Sequence, residues 1–366
     1  MTQPTTNQQA HTVCNITEIE PTVDRRWDEF VKLNPRATFY HTTALKQVLQ
    51  QTYGYRSLYL AAETSESTLC GIFPLFLIQS PFIGKRIVSL PFSDTCGPLV
   101  NDSPTVDSLL ARAIDLRDAF QAKSVQIRTD VDVLPAAHAN FAADSRYVDF
   151  VLPLTRDPDE IWSRPSMAGV RGHVRKATKS GVAFVVGESE QDLREFYTLH
   201  LKTTKGHGMP AQPYTYFRNL WQNLGSTCDL RLLIARYEGR ALAASLFVGF
   251  GQFVHYMYNA SDSGALHLRP NYLLLWEAIK WACHAGYRQL NMGKTSRYNE
   301  GLVNFKRGWG AEAMPLFYLY YPSMYGPTST SFAENSRKYQ LATTVWRALP
   351  DSITDLVGGV LYRHLA

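Results

Sequence analysis

Residues 270–316 read PNYLLLWEAIKWACHAGYRQLNMGKTSRYNEGLVNFKRGWGAEAMPL. Pro270 stands where a helix start favours proline, because the first-turn N–H has no intrahelical partner and the ring presets φ. The helix predicted over 271–284 runs to Gly286, a residue free to take the left-handed conformation that closes helices. Residues 289–292 follow as a strand, and 313–321 return as a last strand. Immediately upstream, 230–237, 240–250 and 252–260 carry strand-forming runs joined at Glu238-Gly239 and Gly251, both tight-turn signals. Three antiparallel strands therefore lead into a helix and two further strands.

Working back from there, helices are expected over 160–180, ended by Gly181, and over 191–205 and 214–224. A Pro/Asp/Thr-rich junction at 153–158 separates this half from one with a similar grammar. In that first half, short helices over 24–31 and 43–52 precede a strand meander over 57–63, 69–78 and 87–90. An amphipathic helix over 107–122 and a strand over 124–128 complete it. The expected division is a disordered lead-in (1–20), a first unit (21–152), a second unit (153–322) and a helical tail (323–366).

A chain of 366 residues, 45% hydrophobic and 19% charged, can bury the cores of two domains. No run approaches the roughly 18 apolar residues of a membrane-spanning helix, and 241–250 is the longest candidate. Residues 1–11 lack the basic start and apolar run of a secretory signal. The five cysteines are scattered with no C-x-x-C pair, which predicts free thiols and a cytoplasmic location. The ten histidines form no H-E-x-x-H or other ligand cluster, so no protein-bound metal or cofactor is expected. A net charge of +5 favours anionic ligands such as phosphate, coenzyme A or RNA.

Within 270–316, Trp276-Glu277, Gly286-Tyr287 and Phe305-Lys306-Arg307-Gly308-Trp309-Gly310 fall in an order and spacing that resemble the C-terminal signature of FemAB-like peptidyltransferases and GNAT-type acyltransferases. Asn291 departs from that signature where an aspartate is usual, and Lys294 where an arginine is common. The run Arg171, Arg175, Lys176, Lys179 before Gly181, with Phe196, Tyr197 and the 206–209 loop, is similar to the same family. The first half matches it in order only, at 39–46, Phe73-Pro74-Leu75 and 90–100. The resemblance implies an α/β (α+β) fold of tandem GNAT-like units, with mixed, mainly antiparallel sheets and flanking helices. It also implies an acyltransferase or aminoacyltransferase.

The resemblance places Lys306 at the transferred acyl group. An ammonium there can stabilise the negative charge that develops on a carbonyl under attack, and the flanking aromatic residues are expected to anchor a turn that aims it into a cleft between the units. Arg171, Arg175 and Lys179, at i, i+4 and i+8, are expected to form a phosphate-binding stripe, the other outcome being a solvated helix face. Arg269 and Asn271 flank the helix start at Pro270, where free N–H groups favour an anion. The R-x-x-G-x-G/A loop of coenzyme A-binding GNAT enzymes is absent, since 264–269 offers one glycine. Strand alternation predicts Tyr256 and Tyr258 on one face and His255 on the other, with Tyr258 and Asn259 lining the acceptor cleft. Lys294 and Asp94, the latter ahead of the Gly97-Pro98 turn, complete the expected substrate contacts.

No Ser-His-Asp or Cys-His arrangement is visible, so direct attack by an amine is expected, without a covalent intermediate. The donor implied is aminoacyl-tRNA or acyl-CoA, with tRNA then a partner, and the acceptor a small-molecule or peptide amine in cell-envelope or related chemistry. The competing expectation is a catalytically silent module that binds RNA or an envelope peptide through the basic helix.

Overall fold

The computed structural model describes residues 14–130, 140–326 and 337–364. Three sheets organise them. The first holds β1 (Asn15–Glu18), β3 (Leu60–Glu63), β4 (Leu69–Phe73) and β7 (Leu99–Val100), in that order. The second has the order β2 (Arg56–Ser57), β5 (Phe76–Ser80), β6 (Gly84–Val88), β8 (Ser124–Thr129), β17 (Phe317–Tyr321), β9 (Ala142–Asp144). The third is seven-stranded: β11 (Ala183–Gly187), β12 (Asp229–Tyr237), β13 (Arg240–Phe250), β14 (Phe253–Ser261), β15 (Gln289–Ser296), β10 (Tyr147–Pro153), β16 (Glu312–Pro315). Among the described residues only β14 with β15 and β6 with β8 pair in parallel. The helices are α1 (Arg26–Leu33), α2 (Thr43–Tyr53), α3 (Ser103–Ala119), α4 (Pro158–Trp162), α5 (Ala168–Lys179), α6 (Glu190–His207), α7 (Tyr214–Leu224), α8 (Pro270–His284), α9 (Glu300–Gly308), α10 (Arg337–Ala348) and α11 (Asp351–Tyr362). This is the expected fold class: mainly antiparallel sheets flanked by helices.

Two strands tie the halves together across the division expected at 152–153. β10 leaves the first half to pair with β15 and β16, and β17 returns from the second half to lie between β8 and β9. One core follows the same logic. Trp27, Val48, Tyr59 and Phe76 of the first half pack in one cluster with Phe196, Phe217 and Leu246 of the second. The other face of the seven-stranded sheet packs Phe150, Leu152 and Phe247 against Val174 of α5 and Leu274 and Ile279 of α8. The six-stranded sheet packs Leu77, Ile87, Val125, Ile127 and Leu319 against Leu109, Leu110 and Ala113 of α3.

Several local expectations are corrected. Asn15–Glu18, read as part of a disordered lead-in, is a strand paired to β3, while residues 1–13 lie outside the described ones. The helix expected over 160–180 is broken into α4, a short 3-10 turn at Pro165–Met167 and α5, because Pro165 removes an N–H donor. Cys14 and Cys70, 56 residues apart in sequence, stand side by side with their Cα atoms 7.3 Å apart, a proximity that the scattered spacing did not suggest. Pairing of β1 and β4 on either side of β3 brings them together, which spacing alone does not reveal. Cys96, Cys228 and Cys283 are free and buried.

The expected turn at 305–310 is instead the end of a helix. The Asn299 side chain caps α9 by accepting the Leu302 N–H at 3.1 Å, and Trp309 at its C-terminal end is fully buried. Phe305 and Trp309 both rest on the ring of Tyr272 in α8, at centroid distances of 5.4 and 5.9 Å. Those contacts turn the last turn of α9 inward. Trp309→Ala should therefore lower stability by about 3–5 kcal/mol through the cavity it leaves. Denaturant unfolding with an unchanged midpoint would show that this anchor does not hold α9.

Candidate active site

The parallel pairing of β14 and β15 covers only Phe253 with Gln289, Val254 with Leu290 and His255 with Asn291. At the next step β14 carries a bulge: Phe247 of β13 faces Tyr256, Leu246 faces Tyr258, and Met257 is the extra residue. A bulge bends its strand and increases local twist. Beyond it the strands part around a cavity of about 580 Å³. Tyr256, Met257 and Asn259 line one side, Met292, Gly293 and Lys294 the other, and Phe305 and Lys306 of α9 and Asp94 reach in.

The bulge also reverses the alternation expected for this strand. Tyr256 stacks on Phe247 with ring centroids 4.8 Å apart. Tyr258 turns to the opposite core, with its hydroxyl 3.0 Å from Gln212 Nε2 and 3.2 Å from the Tyr216 hydroxyl. Tyr256 and Tyr258 therefore do not share a face, and Tyr258 is absent from the cavity lining. Asn259 does line it, its Oδ1 accepting from the buried Ser245 hydroxyl at 3.0 Å.

Lys306 is 4% exposed, and its Nζ donates to the Gly293 carbonyl at 2.5 Å and lies 3.5 Å from that of Lys294. Gly293 has φ +79°, and a Cβ there would stand 3.2 Å from Asp94 Oδ2, so both conformation and space favour glycine at the contact. Asp94 Oδ2 accepts the Lys294 N–H at 3.1 Å. Behind this group is Asp149, which composition and motif did not single out. It is 4% exposed on β10, and its carboxylate accepts from the Asn291 amide and from the Phe150 N–H at 3.0 Å. The register shift between Asp149 and Val151 brings this carboxylate to Asn291, the position where the family motif carries an aspartate of its own. A carboxylate embedded in the run YVDFVL was the available signal, because a buried charge needs partners.

Burial pushes the Lys306 ammonium down to about 8, against the support of Asp149 and Asp94. Burial, and then the Asp94 charge, raise Asp149 to about 7, with the Asn291 hydrogen bond and Lys306 pulling the other way. His255, on the far face of β14 against Phe39 and Tyr40, is pushed down to about 4 by burial and stays neutral.

At the cavity mouth, Arg269 and Pro270 open α8. Arg269 Nε and Asn271 Oδ1 are buried there without hydrogen-bond partners. From α5, His173 packs on Tyr272 at 4.4 Å, and burial with the charges of Arg269 and Lys176 depresses its pKa. The residue of α5 that packs against the mouth is thus His173, on Tyr272, and not one of the stripe Arg171, Arg175, Lys179. Arg171 is occupied by the Trp162 carbonyl at 2.7 Å and the Arg164 carbonyl at 3.2 Å, while Arg175 and Lys179 are exposed and outside the cavity lining. Of the residues singled out from the sequence, Asp94, Asn259, Arg269, Asn271, Lys294 and Lys306 meet in one cavity.

If the buried environment controls Lys306, its ammonium titrates near pH 8 in the unliganded protein, and Asp149→Asn lowers that midpoint by removing a supporting negative charge. Side-chain NMR reads it directly. A midpoint at the ordinary lysine value of 10.5 would place Lys306 in solvent-like surroundings.

Comparison with known proteins follows the same lines. Residues 166–307 match the Acetyltransferase (GNAT) domain family. The UDP-N-acetylmuramoylpentapeptide-lysine N(6)-alanyltransferase of Weissella viridescens is 28% identical over 164 residues, 43% of this chain and 48% of that protein. The chain thus matches about half the length of that curated relative. The crystal structure of FemX superposes with a TM-score of 0.65 at 17% identity, over 83% of this chain and 96% of that one. L-PGS from Bacillus licheniformis gives 0.58 at 13% identity, over 91% and 98%. A tandem GNAT protein from the clavulanic acid biosynthesis pathway gives 0.54 at 12%, over 84% and 97%. The resemblance read from the sequence is borne out at the level of the fold: the chain is similar in sequence to the alanyltransferase and the GNAT domain, and it shares its fold with FemX and a tandem GNAT protein.

Proposed function

We propose that the chain transfers an activated acyl or aminoacyl group to an amine acceptor in the cavity between β14 and β15. The observation that carries this is Lys306, a buried ammonium brought to the end of a cavity that the parted strands open, with two carboxylates behind it. The alanyl transfer to a lysine N6 named for the Weissella viridescens relative supports an aminoacyl group, and the GNAT match supports acyl transfer more generally.

In this mechanism the donor carbonyl enters between Met257 and Gly293, and Lys306 Nζ turns from the Gly293 carbonyl to the carbonyl oxygen of the donor. The acceptor nitrogen attacks the carbonyl carbon, a C–N bond forms, and the ester or thioester bond breaks to release the donor's hydroxyl or thiol. Lys306 stabilises the oxyanion in between. The proton lost by the amine passes to Asp94, which reaches the cavity, and Asp149 behind it shares the load as a group poised near neutrality. At the mouth, Arg269 and Asn271, with His173 beside them on Tyr272, suit the phosphates of the donor, whether aminoacyl-tRNA or acyl-CoA. No described helix is long and apolar enough to cross a membrane, and a cytoplasmic site of action suits either donor.

Lys306→Met should reduce turnover about 100- to 1,000-fold while leaving donor binding in place. A silent binding module would show no difference between the two proteins in any assay. The pH profile provides an independent check. Turnover falls above about pH 8 as Lys306 loses its proton, and below about 7 as Asp149 gains one, giving a narrow bell. Asp149→Asn should remove the acid limb and move the alkaline limb to lower pH, since Lys306 loses a supporting negative charge; an acid limb unchanged in that variant would remove Asp149 from the proton path. Thermal shifts with acetyl-coenzyme A against charged tRNA identify the donor, because a ligand that binds only the native state raises Tm.

A further inference from the structure

The seven-stranded sheet ends on β11 at one side and on β16 at the other, and the two edges are unlike. β16 opens with Glu312 and closes with Pro315. At the edges of the six-stranded sheet, β2 carries Arg56 and β9 carries Asp144. A charge or a proline in such a place keeps an edge strand from pairing with another chain. β11 reads Ala183-Phe184-Val185-Val186-Gly187 and has neither. Phe184, Val185 and Val186 are 40%, 37% and 39% exposed, three consecutive large apolar side chains on an open edge. Their register with β12 shows what they continue. Phe184 and Val186 lie beside Ala235 and Leu233, which belong to the core under α5 and α8. Val185 lies beside Ile234, which belongs to the core shared with the first half. Both cores therefore run out to this edge and end there half-covered, one on each face of the sheet.

We propose that β11 is the interface of a homodimer, in which β11 of a second copy pairs antiparallel with it about a two-fold axis at Val185 and carries the seven-stranded sheet through both copies. In that register Phe184 faces the partner subunit's Val186, and Val185 faces the partner subunit's Val185. Pairing satisfies the backbone groups that the open edge leaves to water, and it buries the three apolar side chains of each copy. The charges that flank the strand select the partner. Antiparallel pairing brings the start of one strand to the end of the other. Ahead of β11, α5 ends on Lys176 and Lys179; behind it, Glu188 and Glu190 lead into α6, and all of these are exposed. The two-fold axis therefore sets the basic side of each copy against the acidic side of the other, at both ends of the strand pair. Parallel pairing would set lysine against lysine and glutamate against glutamate, which like-charge repulsion opposes. The pattern is self-complementary, as a two-fold interface between identical chains requires, and a strand from an unrelated protein would have no need of that reversal.

Sedimentation velocity of the full chain over a dilution series reads the oligomeric state, and a reversible monomer–dimer equilibrium is expected. Phe184→Lys should raise the dissociation constant about 100-fold or more, because the substitution acts twice across the axis and charges an open edge. Lys179→Glu, at an exposed position where folding is not at stake, should raise it about tenfold, and the double variant Lys179→Glu/Glu188→Lys should restore association. Val185→Cys should cross-link to its own counterpart on mild oxidation, since facing residues of an antiparallel pair have Cα atoms about 4.5–5.5 Å apart, within reach of a disulfide. The native Cys96, Cys228 and Cys283 are buried, so the unsubstituted chain serves as the control. A chain that stays monomeric at every concentration, a dimer indifferent to Phe184→Lys, a charge swap that fails to restore association, or no cross-link at Val185→Cys would each overturn the proposal.

Discussion

The separation of β14 from β15 is the constraint on which the rest of the structure depends. Two parallel strands that stayed paired beyond His255 and Asn291 would satisfy each other's backbone groups and leave no cavity. One extra residue at Met257 prevents this by shifting β14 out of register and bending it away. β15 keeps its other neighbour, because β10 is inserted on that side and holds it from Tyr147 to Pro153. The cavity is therefore open on one side of β15 and braced on the other. The brace delivers Asp149, and the opening receives Lys306.

Charge inside such a site is stable only when it is compensated. Lys306 gives up most of its hydration, and the lowered pKa is the direct consequence. Two backbone carbonyls and two carboxylates offset that cost. Burial, and then repulsion from Asp94, hold Asp149 well above the usual carboxylate range, near neutrality. The same arrangement that makes the lysine tolerable thus supplies a group able to take a proton from an amine.

Much of this was legible in the sequence, and the parts that were not share a physical cause. Helix 270–284 is readable from local chemistry because Pro270 and Gly286 act on their own neighbours. Lys306 was placed by its aromatic neighbours, and the structure shows them resting on Tyr272, although on a helix and not in a turn. Asp94, Asn259, Arg269, Asn271 and Lys294 reach the same cavity from four separate segments. Tyr258 was misplaced because a bulge depends on what the adjoining strand does, and period-two alternation assumes none. The basic stripe of α5 followed helical spacing correctly but not its orientation, which the packing of Val170, Val174 and Ala177 decides. The place of Asp149 and the proximity of Cys14 to Cys70 both arise from strand neighbours distant in sequence, so no local pattern announces them.

The most direct measurement is a crystal structure with a non-hydrolysable aminoacyl or acyl donor analogue bound. The account predicts the donor arm between Met257 and Gly293, its carbonyl oxygen about 2.6–3.2 Å from Lys306 Nζ, and its phosphates at Arg269 and Asn271. A donor bound elsewhere, with the Lys306 ammonium still on the Gly293 carbonyl, would contradict it.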